Sequence, residues 1–389
     1  MAKKKTEVGQ KKELPIIEVQ RALKDWFDMR RNEITGTIEV RNKDEHVFKE
    51  IKEDNLFIKL LNNGYRISQG VLSALFNSDF VQTYNPFKVY FESLPEWNEQ
   101  CRDYINEVAN HVKAFDQQQF NIQFKKMLVR AVACAIDDRS INKHAFILLG
   151  KKQHTGKSTF CKYLIPKSLK DYYTENITSD KDGMVCLSEN FIINLDELSG
   201  MKKFDLNNLK SMFSKDTVKV RQAFARKPQT APRRASFIGS TNEDDFLTDR
   251  TGSVRWLCFE IEYIDFDYVK IDVDLLWSQA YALYKSGFDF HLTADEVKEN
   301  ENRNKKFQQN SEEYDYVQKY FLPATESDFH SFRTATEIRD YIITMSERKA
   351  EIRSVEKLGK VLTQLGYQKV SKRSTDRDNP VYGYYVQEL

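Results

Sequence analysis

Apolar positions keep a helical spacing through most of the first third of the chain. Ile16, Val19, Leu23, Trp26 and Phe27 recur at that spacing and predict a helix. Residues 33–40 alternate around Gly36 and predict two short strands joined by a tight turn. Leu56, Phe57, Leu60 and Leu61 predict a helix closed by Asn63-Gly64, and Val71, Leu72, Leu75 and Phe76 predict another. Residues 14–80 therefore read as a small α+β module, and nothing in it demands catalysis. Tyr84-Asn85-Pro86 and Leu94-Pro95-Glu96-Trp97 break the chain, with the aromatic stripe Phe87, Tyr90 and Phe91 between them. Ile105, Val108, Val112 and Phe115, then Phe124, Met127, Leu128, Ala131 and Val132, resume the helical period. Residues 81–140 read as a helical collar.

From residue 141 the pattern changes to short apolar runs that each end in polar residues. This is the signature of buried strands in an α/β core, placed here over residues 141–292. The first run, Phe146 to Leu149, enters a polar stretch from Gly150 to Thr159, after which Phe160 to Leu164 begin a helix. Strand, glycine-bounded loop and helix form the context of a P-loop, in which backbone N–H groups wrap a polyphosphate. Gly150, Thr155, Gly156, Lys157, Ser158 and Thr159 are the expected ATP contacts. Lys157 has the chemistry to reach the β- and γ-phosphates, and the Ser158 hydroxyl to complete a Mg2+ shell. The spacing departs from G-x-x-x-x-G-K-[ST]: the first glycine falls at Gly150, one residue early. His154, inside the loop, is expected to shape it.

The second run, Phe191 to Leu195, ends in Asp196-Glu197. A carboxylate at the carboxyl end of such a strand faces the nucleotide crevice, which suits Asp196 as a metal-shell residue and Glu197 as the base for an attacking water. A third run, Ala235 to Thr241, ends in Asn242, whose amide can sense a γ-phosphate or can simply form a turn. Between these runs lies a basic segment containing Lys215, Lys219, Arg221, Arg226, Lys227, Arg233 and Arg234. Alternation over Val218-Lys219-Val220-Arg221 puts two cations on one strand face. Lys219, Arg221, Arg226 and Lys227 are the expected contacts to a nucleic-acid backbone, with Phe224 available for stacking. Arg255 precedes the apolar run Trp256 to Phe259 and could reach a neighbouring subunit's phosphate.

Residues 293–332 are charged and read as a helical linker. In residues 333–389, Thr336 precedes a helix through Ile338, Tyr341, Ile342 and Met345. Ser354 caps a second through Leu358, Val361, Leu362 and Leu365, stopped by Gly366. Residues 367–370 and 382–386 then read as a hairpin. Two helices followed by a hairpin is a winged-helix pattern, suited to docking either DNA or protein.

Composition narrows the setting. The 389 residues are 40% hydrophobic, 13% aromatic and 30% charged, with a net charge of +2, so any nucleic-acid contact must be local. The five cysteines are scattered without a C-x-x-C pair, which excludes a disulfide framework or zinc site by pattern and suits a cytoplasmic protein. No apolar run reaches membrane-spanning length. Residues 1–13 are lysine-rich and read as a disordered basic tail.

The order of these motifs resembles the virulence-associated E family of phage- and island-encoded replication proteins, which are similar to superfamily 3 helicases. The loop Gly156-Lys157-Ser158, Ile192-Ile193-Asn194-Leu195-Asp196-Glu197, the basic hairpin, Ile238-Gly239-Ser240-Thr241-Asn242, and Phe246-Leu247-Thr248-Asp249 with Arg255-Trp256 carry the resemblance. Asn85-Pro86-Phe87, Leu94 to Trp97 and Leu276 to Ala280 extend it, so that it covers roughly residues 15–322. It implies an AAA+-like P-loop ATPase working as a homo-oligomeric ring, commonly a hexamer, on single-stranded or forked DNA. Lys157, Glu197, Asn242 and Arg255 would form the catalytic set, Ser158 and Asp196 the Mg2+ set. The family's double arginine is here Val254-Arg255, so Arg250, Arg233 and Arg234 also stand as candidates for the residue acting in trans. Many members carry a primase domain upstream; residues 1–13 leave no room for one, so a primase or initiator partner is expected. The alternative is a nucleotide-gated DNA-binding initiator or regulator that separates no strands.

Overall fold

The computed structural model describes residues 14–389, apart from 151–154, 197, 199–202, 223–226, 243–246, 248–252, 308–311, 348, 353 and 374–379. Its packing divides it into two compact units: Met1–Asp244 with Arg250–Lys306, and Asp245–Asp249 with Phe307–Leu389.

The first unit opens with α1 (Pro15–Trp26), whose proline takes the first helical position, where no N–H partner is needed. The helix stops one residue earlier than the apolar spacing suggests. Phe27 begins β1 (Phe27–Asn32), which pairs antiparallel with β2 (Ile38–Asn42) around the expected glycine turn. β3 (Lys49–Glu50), α2 (Glu53–Asn62), α3 (Gln69–Phe76) and β4 (Gln82–Tyr84) complete a module with sheet order β3-β2-β1-β4. Its core is Val19, Leu23, Phe27, Leu56, Leu60, Leu72 and Phe76.

Asn85 then caps α4 (Pro86–Ser93), accepting from the N–H groups of Phe87 and Lys88 at 2.9 and 3.0 Å, while its amide donates to Glu33. α5 (Tyr104–His111), β5 (Val112–Ala114) and α6 (Gln117–Ile136) follow. α6 buries Phe120 and Phe124 against Phe146 and Phe259 of the central sheet, so the collar helices are one wall of the core.

That sheet contains β6 (Ala145–Leu149), β7 (Tyr173–Glu175), β8 (Ile192–Leu195), β11 (Ser236–Thr241) and β12 (Trp256–Ile264). Between them run α7 (Lys157–Tyr163), α8 (Lys181–Glu189), α9 (Lys203–Phe213) and the two-stranded ribbon β9 (Thr217–Val220) and β10 (Gln229–Pro232). The order is β5-β12-β6-β11-β8-β7. β12, β6, β11, β8 and β7 are mutually parallel, and β5 closes the edge antiparallel to β12. β6, β8 and β11 are buried at every position, which is why their sequences are nearly continuous apolar runs. α10 (Val273–Lys285) seals one face: Trp277 Nε1 donates to the Leu164 carbonyl at 2.9 Å, and Gln279 Oε1 accepts from Ile105 N at 2.8 Å. α11 (Ala294–Asn304) lies along β12, with Asn300 and Asn304 donating to the Trp256 carbonyl at 3.0 and 2.8 Å.

The charged stretch expected to link two domains is thus divided: α11 belongs to the first unit, and α12 (Glu312–Tyr320) to the second. β13 (Phe321–Pro323), β14 (Ser331–Arg333), α13 (Ala335–Met345), α14 (Val355–Gln364), β15 (Lys369–Lys372) and β16 (Val381–Glu388) follow. β16 is the shared partner of β13, β14 and β15. Thr334 and Glu337 form a capping box on α13, and Ser354 caps α14. Among the described residues, no helix is long and apolar enough to cross a membrane.

Candidate active site

The carboxyl ends of β6, β11 and β8 lie side by side in the sheet, with Leu149 opposite Thr241 and Leu195 opposite Gly239. The residues that follow these ends converge. Lys157, only 6% exposed, sends its ammonium back over the end of β6, donating to the Gly150 carbonyl at 3.0 Å, Thr155 Oγ1 at 3.0 Å and Asn242 Oδ1 at 2.8 Å. The second cluster is acidic. Asp196 Oδ1 accepts from Ser158 at 2.7 Å and from Ser240 at 2.8 Å.

The backbone permits this closeness at two glycines. Gly156 caps α7 with φ 86°, in the left-handed region where a side chain is strained. A Cβ on Gly150 would come within 3.3 Å of the Lys157 ammonium. The early glycine therefore leaves the space that the lysine occupies. Burial pushes the Lys157 ammonium below its ordinary range, and the Asp196 carboxylate opposes that shift. A lysine held among neutral oxygens with one nearby carboxylate favours an added anion.

The structure thus places Gly150, Thr155, Gly156, Lys157, Ser158, Asp196 and Asn242 in one locality. Thr159 is exposed on the first turn of α7. His154 and Glu197 lie outside the described residues. Sequence reasoning missed Ser240, although it lies on β11, two residues before Asn242, which follows the end of that strand.

Arg255 lies elsewhere. β12 runs parallel to β6 with Trp256 opposite Ala145, so Arg255 sits at the amino edge of the sheet. The length of β6 separates the two edges, roughly 15 Å for a short strand. There Arg255 Nε donates to Ser214 Oγ at 2.9 Å, at the junction of α9 and β9. The same edge carries the ribbon. Val218 and Val220 are buried, while Lys219 and Arg221 are exposed, as the alternation implied. Lys227 is exposed, and Arg226, Phe224 and Arg250 lie outside the described residues.

Arg233 and Arg234 require a correction. Their place in the basic segment suggested phosphate contact or a trans role, but they are 1% and 6% exposed. Arg233 donates to the carbonyls of Lys215 at 3.0 Å, Ala235 at 2.8 Å and Asn142. Arg234 donates to the Ala135 carbonyl at 2.8 Å and pairs with Asp138 at 2.7 Å. They hold the root of the ribbon to the sheet. Beside them, burial and the charges of Arg130, Arg255, Lys143 and Arg233 push His144 down to about 3, leaving it neutral.

A Mg2+ ion delivered with a triphosphate takes most of its ligands from phosphate and water and asks the protein for one or two oxygens. Ser158 and Asp196, already hydrogen-bonded, fit that demand. Among the described residues no group of three or more His, Cys, Asp or Glu forms a self-contained metal cage.

The fold is a mixed α/β architecture built on a parallel sheet, with polar residues gathered at its carboxyl edge. The chain belongs to the virulence-associated protein E-like family, whose domain model matches residues 91–309. No curated protein matches it. Among solved structures it is similar to the apo structure of the NrS-1 C terminal region (305-718), with TM-score 0.52 at 12% identity over 97% of this chain and 100% of that one. It is likewise similar to the A form apo structure of that region, with TM-score 0.51 at 12% identity over 96% and 99% of the two chains. At that identity the likeness concerns the fold.

Proposed function

We propose that this chain is an ATP-driven DNA translocase of superfamily 3 helicase type, acting in the replication of a phage or mobile element. The observation that carries this reading is the division of labour between the two edges of one sheet. The carboxyl edge gathers Lys157, Asn242, Ser158, Ser240 and Asp196, while the amino edge carries Arg255 and the cationic ribbon. The strand order supports it too: β11 stands between the loop strand β6 and the acid strand β8, which places Asn242 between Lys157 and Asp196.

In this reading the Lys157 ammonium exchanges neutral partners for β- and γ-phosphate oxygens, and the Asn242 amide it leaves turns to the γ-phosphate and the attacking water. Ser158 and Asp196 would hold a Mg2+ ion, which would supply charge neutralisation to the triphosphate. Glu197 takes the proton of the water that attacks the γ-phosphorus as ADP leaves. Arg255, too far to act within its own subunit, completes the site of the next copy in a homo-oligomeric ring, a hexamer by family resemblance. Lys219, Arg221, Arg226 and Lys227 grip the DNA backbone. The second unit, with its helix–strand–strand–helix–helix–hairpin order, serves as a winged-helix module on DNA or on a primase or initiator partner.

The test is ATP hydrolysis with and without single-stranded DNA, alongside displacement of a labelled strand from a fork. DNA-stimulated hydrolysis lost in Lys157→Ala, with strand displacement by the parent, is the expected result. ATP binding that alters DNA affinity without displacement would favour the nucleotide-gated regulator instead.

A further inference from the structure

Immediately after β12 the chain enters a short 3-10 helix, Phe266–Lys270, that borders the loop. The Phe266 ring lies against Gly156, with its Cζ 2.7 Å from where a Cβ on that glycine would sit. From beneath, Phe266 stacks on Tyr268 with centroids 6.2 Å apart and planes 29° apart. Tyr268, fully buried, is wedged edge-on to Phe160 of α7 at 5.1 Å and to Tyr163 at 4.8 Å. Asp265 fixes the root of the segment: its N–H donates to the His111 carbonyl at 2.8 Å, and its carboxylate accepts from Asp267 N at 3.1 Å. Phe266 is therefore a braced plate, yet it is 50% exposed. Val269, 60% exposed, eclipses it one 3-10 turn later and extends the apolar surface.

We infer that Phe266 is the platform on which the base of the nucleoside triphosphate stacks. The inference rests on the loop of Lys157 holding the triphosphate. A ribose ties the base to the α-phosphate within a few bond lengths, and Phe266 is an open aromatic face that touches the loop. Stacking on an aromatic ring tolerates every base, because each has a π-face, and favours the larger purines over pyrimidines. The site is thus selective for ring size rather than for hydrogen-bonding edge.

The experiment is calorimetric binding of ATP, GTP, CTP and inorganic tripolyphosphate to the parent, Phe266→Ala, Phe266→Trp and Lys157→Ala proteins, with sedimentation of each. Phe266→Ala is expected to weaken ATP and GTP about tenfold or more, the size of one missing stack. It should weaken CTP less and leave tripolyphosphate and sedimentation unchanged, with Phe266→Trp retaining the purines. Equal affinities in parent and Phe266→Ala, an equal loss for ATP and tripolyphosphate, or a change confined to sedimentation would overturn the platform while leaving the phosphate site standing. A parent that binds neither ATP nor tripolyphosphate would overturn both.

Discussion

Lys157 donates a hydrogen bond to the side-chain oxygen of Asn242 at 2.8 Å, joining the first turn of α7 to the residue that follows β11. The bond aims the ammonium across the sheet edge toward Asp196 rather than out to solvent. It also occupies Asn242, whose carbonyl oxygen is held by the lysine before any anion arrives. Loss of either partner should therefore be felt at a different stage. Lys157→Ala is expected to abolish ATP hydrolysis and to weaken ATP binding. Asn242→Ala is expected to bind ATP within a few-fold of the parent and to lower kcat by about 10²-fold, the usual scale for one oriented polar group. Measured Kd and kcat for both variants check this; a kcat unchanged in Asn242→Ala would remove it from the chemistry.

Ser240 shares Asp196 Oδ1 with Ser158. Its hydroxyl fixes which way the carboxylate faces, so Ser240→Ala should loosen the proposed metal shell without removing one of its proposed ligands. The expected outcome is a several-fold rise in the Mg2+ concentration for half-maximal hydrolysis, with kcat at saturating Mg2+ near that of the parent. Ser158→Ala should raise that concentration further and lower kcat as well. A Mg2+ titration of the two variants separates positioning from ligation.

The parallel sheet was legible because buried strands leave unbroken apolar runs, and the polar residue ending each run faces the same crevice. That reasoning located Lys157, Asp196 and Asn242. It could not see β4, β5 or β7, since three-residue strands are too short to establish a period. Phe27 fits a helical spacing and a strand equally, and its pairing with Asn42 decides for the strand. Arg233 and Arg234 look like surface cations in sequence. What buries them is a set of backbone carbonyls from Asn142, Ala135 and Lys215, distant in the chain, and a guanidinium can satisfy several such acceptors at once. Phe266 was invisible for the same reason: only its packing against Gly156 gives an ordinary aromatic a place beside the loop.

Arg255 is fixed to Ser214 at the edge of the sheet opposite Lys157. Arg255→Ala alone should bind ATP and fail to hydrolyse it. Mixed with Lys157→Ala, it should recover activity, because a ring would then contain intact loops facing intact arginines. Hydrolysis across a range of mixing ratios is the measurement. No recovery at any ratio would place the arginine's action elsewhere.

Lys219, on β9, and Arg221, just past it, are exposed, while Val218 and Val220 of β9, which packs against α8, are buried. Replacing both with alanine leaves the buried face intact and removes two cations from the proposed DNA path. The expected result is weaker binding of single-stranded DNA at low salt. The slope of log affinity against log salt should fall by about 1.4, at about 0.7 for each single-strand phosphate that is no longer neutralised. An unchanged slope would move the DNA path off the ribbon.

Glu189, at the end of α8, gives a pH signature independent of nucleotide. Burial pushes its carboxyl up to about 7 from an ordinary value of 4.5. The folded protein thus holds this proton more tightly than the unfolded chain. The sign follows: the carboxyl has no cost below pH 4.5, and stability falls as pH rises from there through about 7, where the buried group ionises. Glu189→Gln keeps the shape and cannot ionise. Its stability relative to the parent should rise across that window and level off above it, by roughly 1–2 kcal/mol once discounted for the solvent that reaches a partly exposed carboxyl. Urea unfolding of both proteins from pH 4.5 to 8 checks the slope, and parallel curves would mean that Glu189 ionises in the fold as freely as in the unfolded chain.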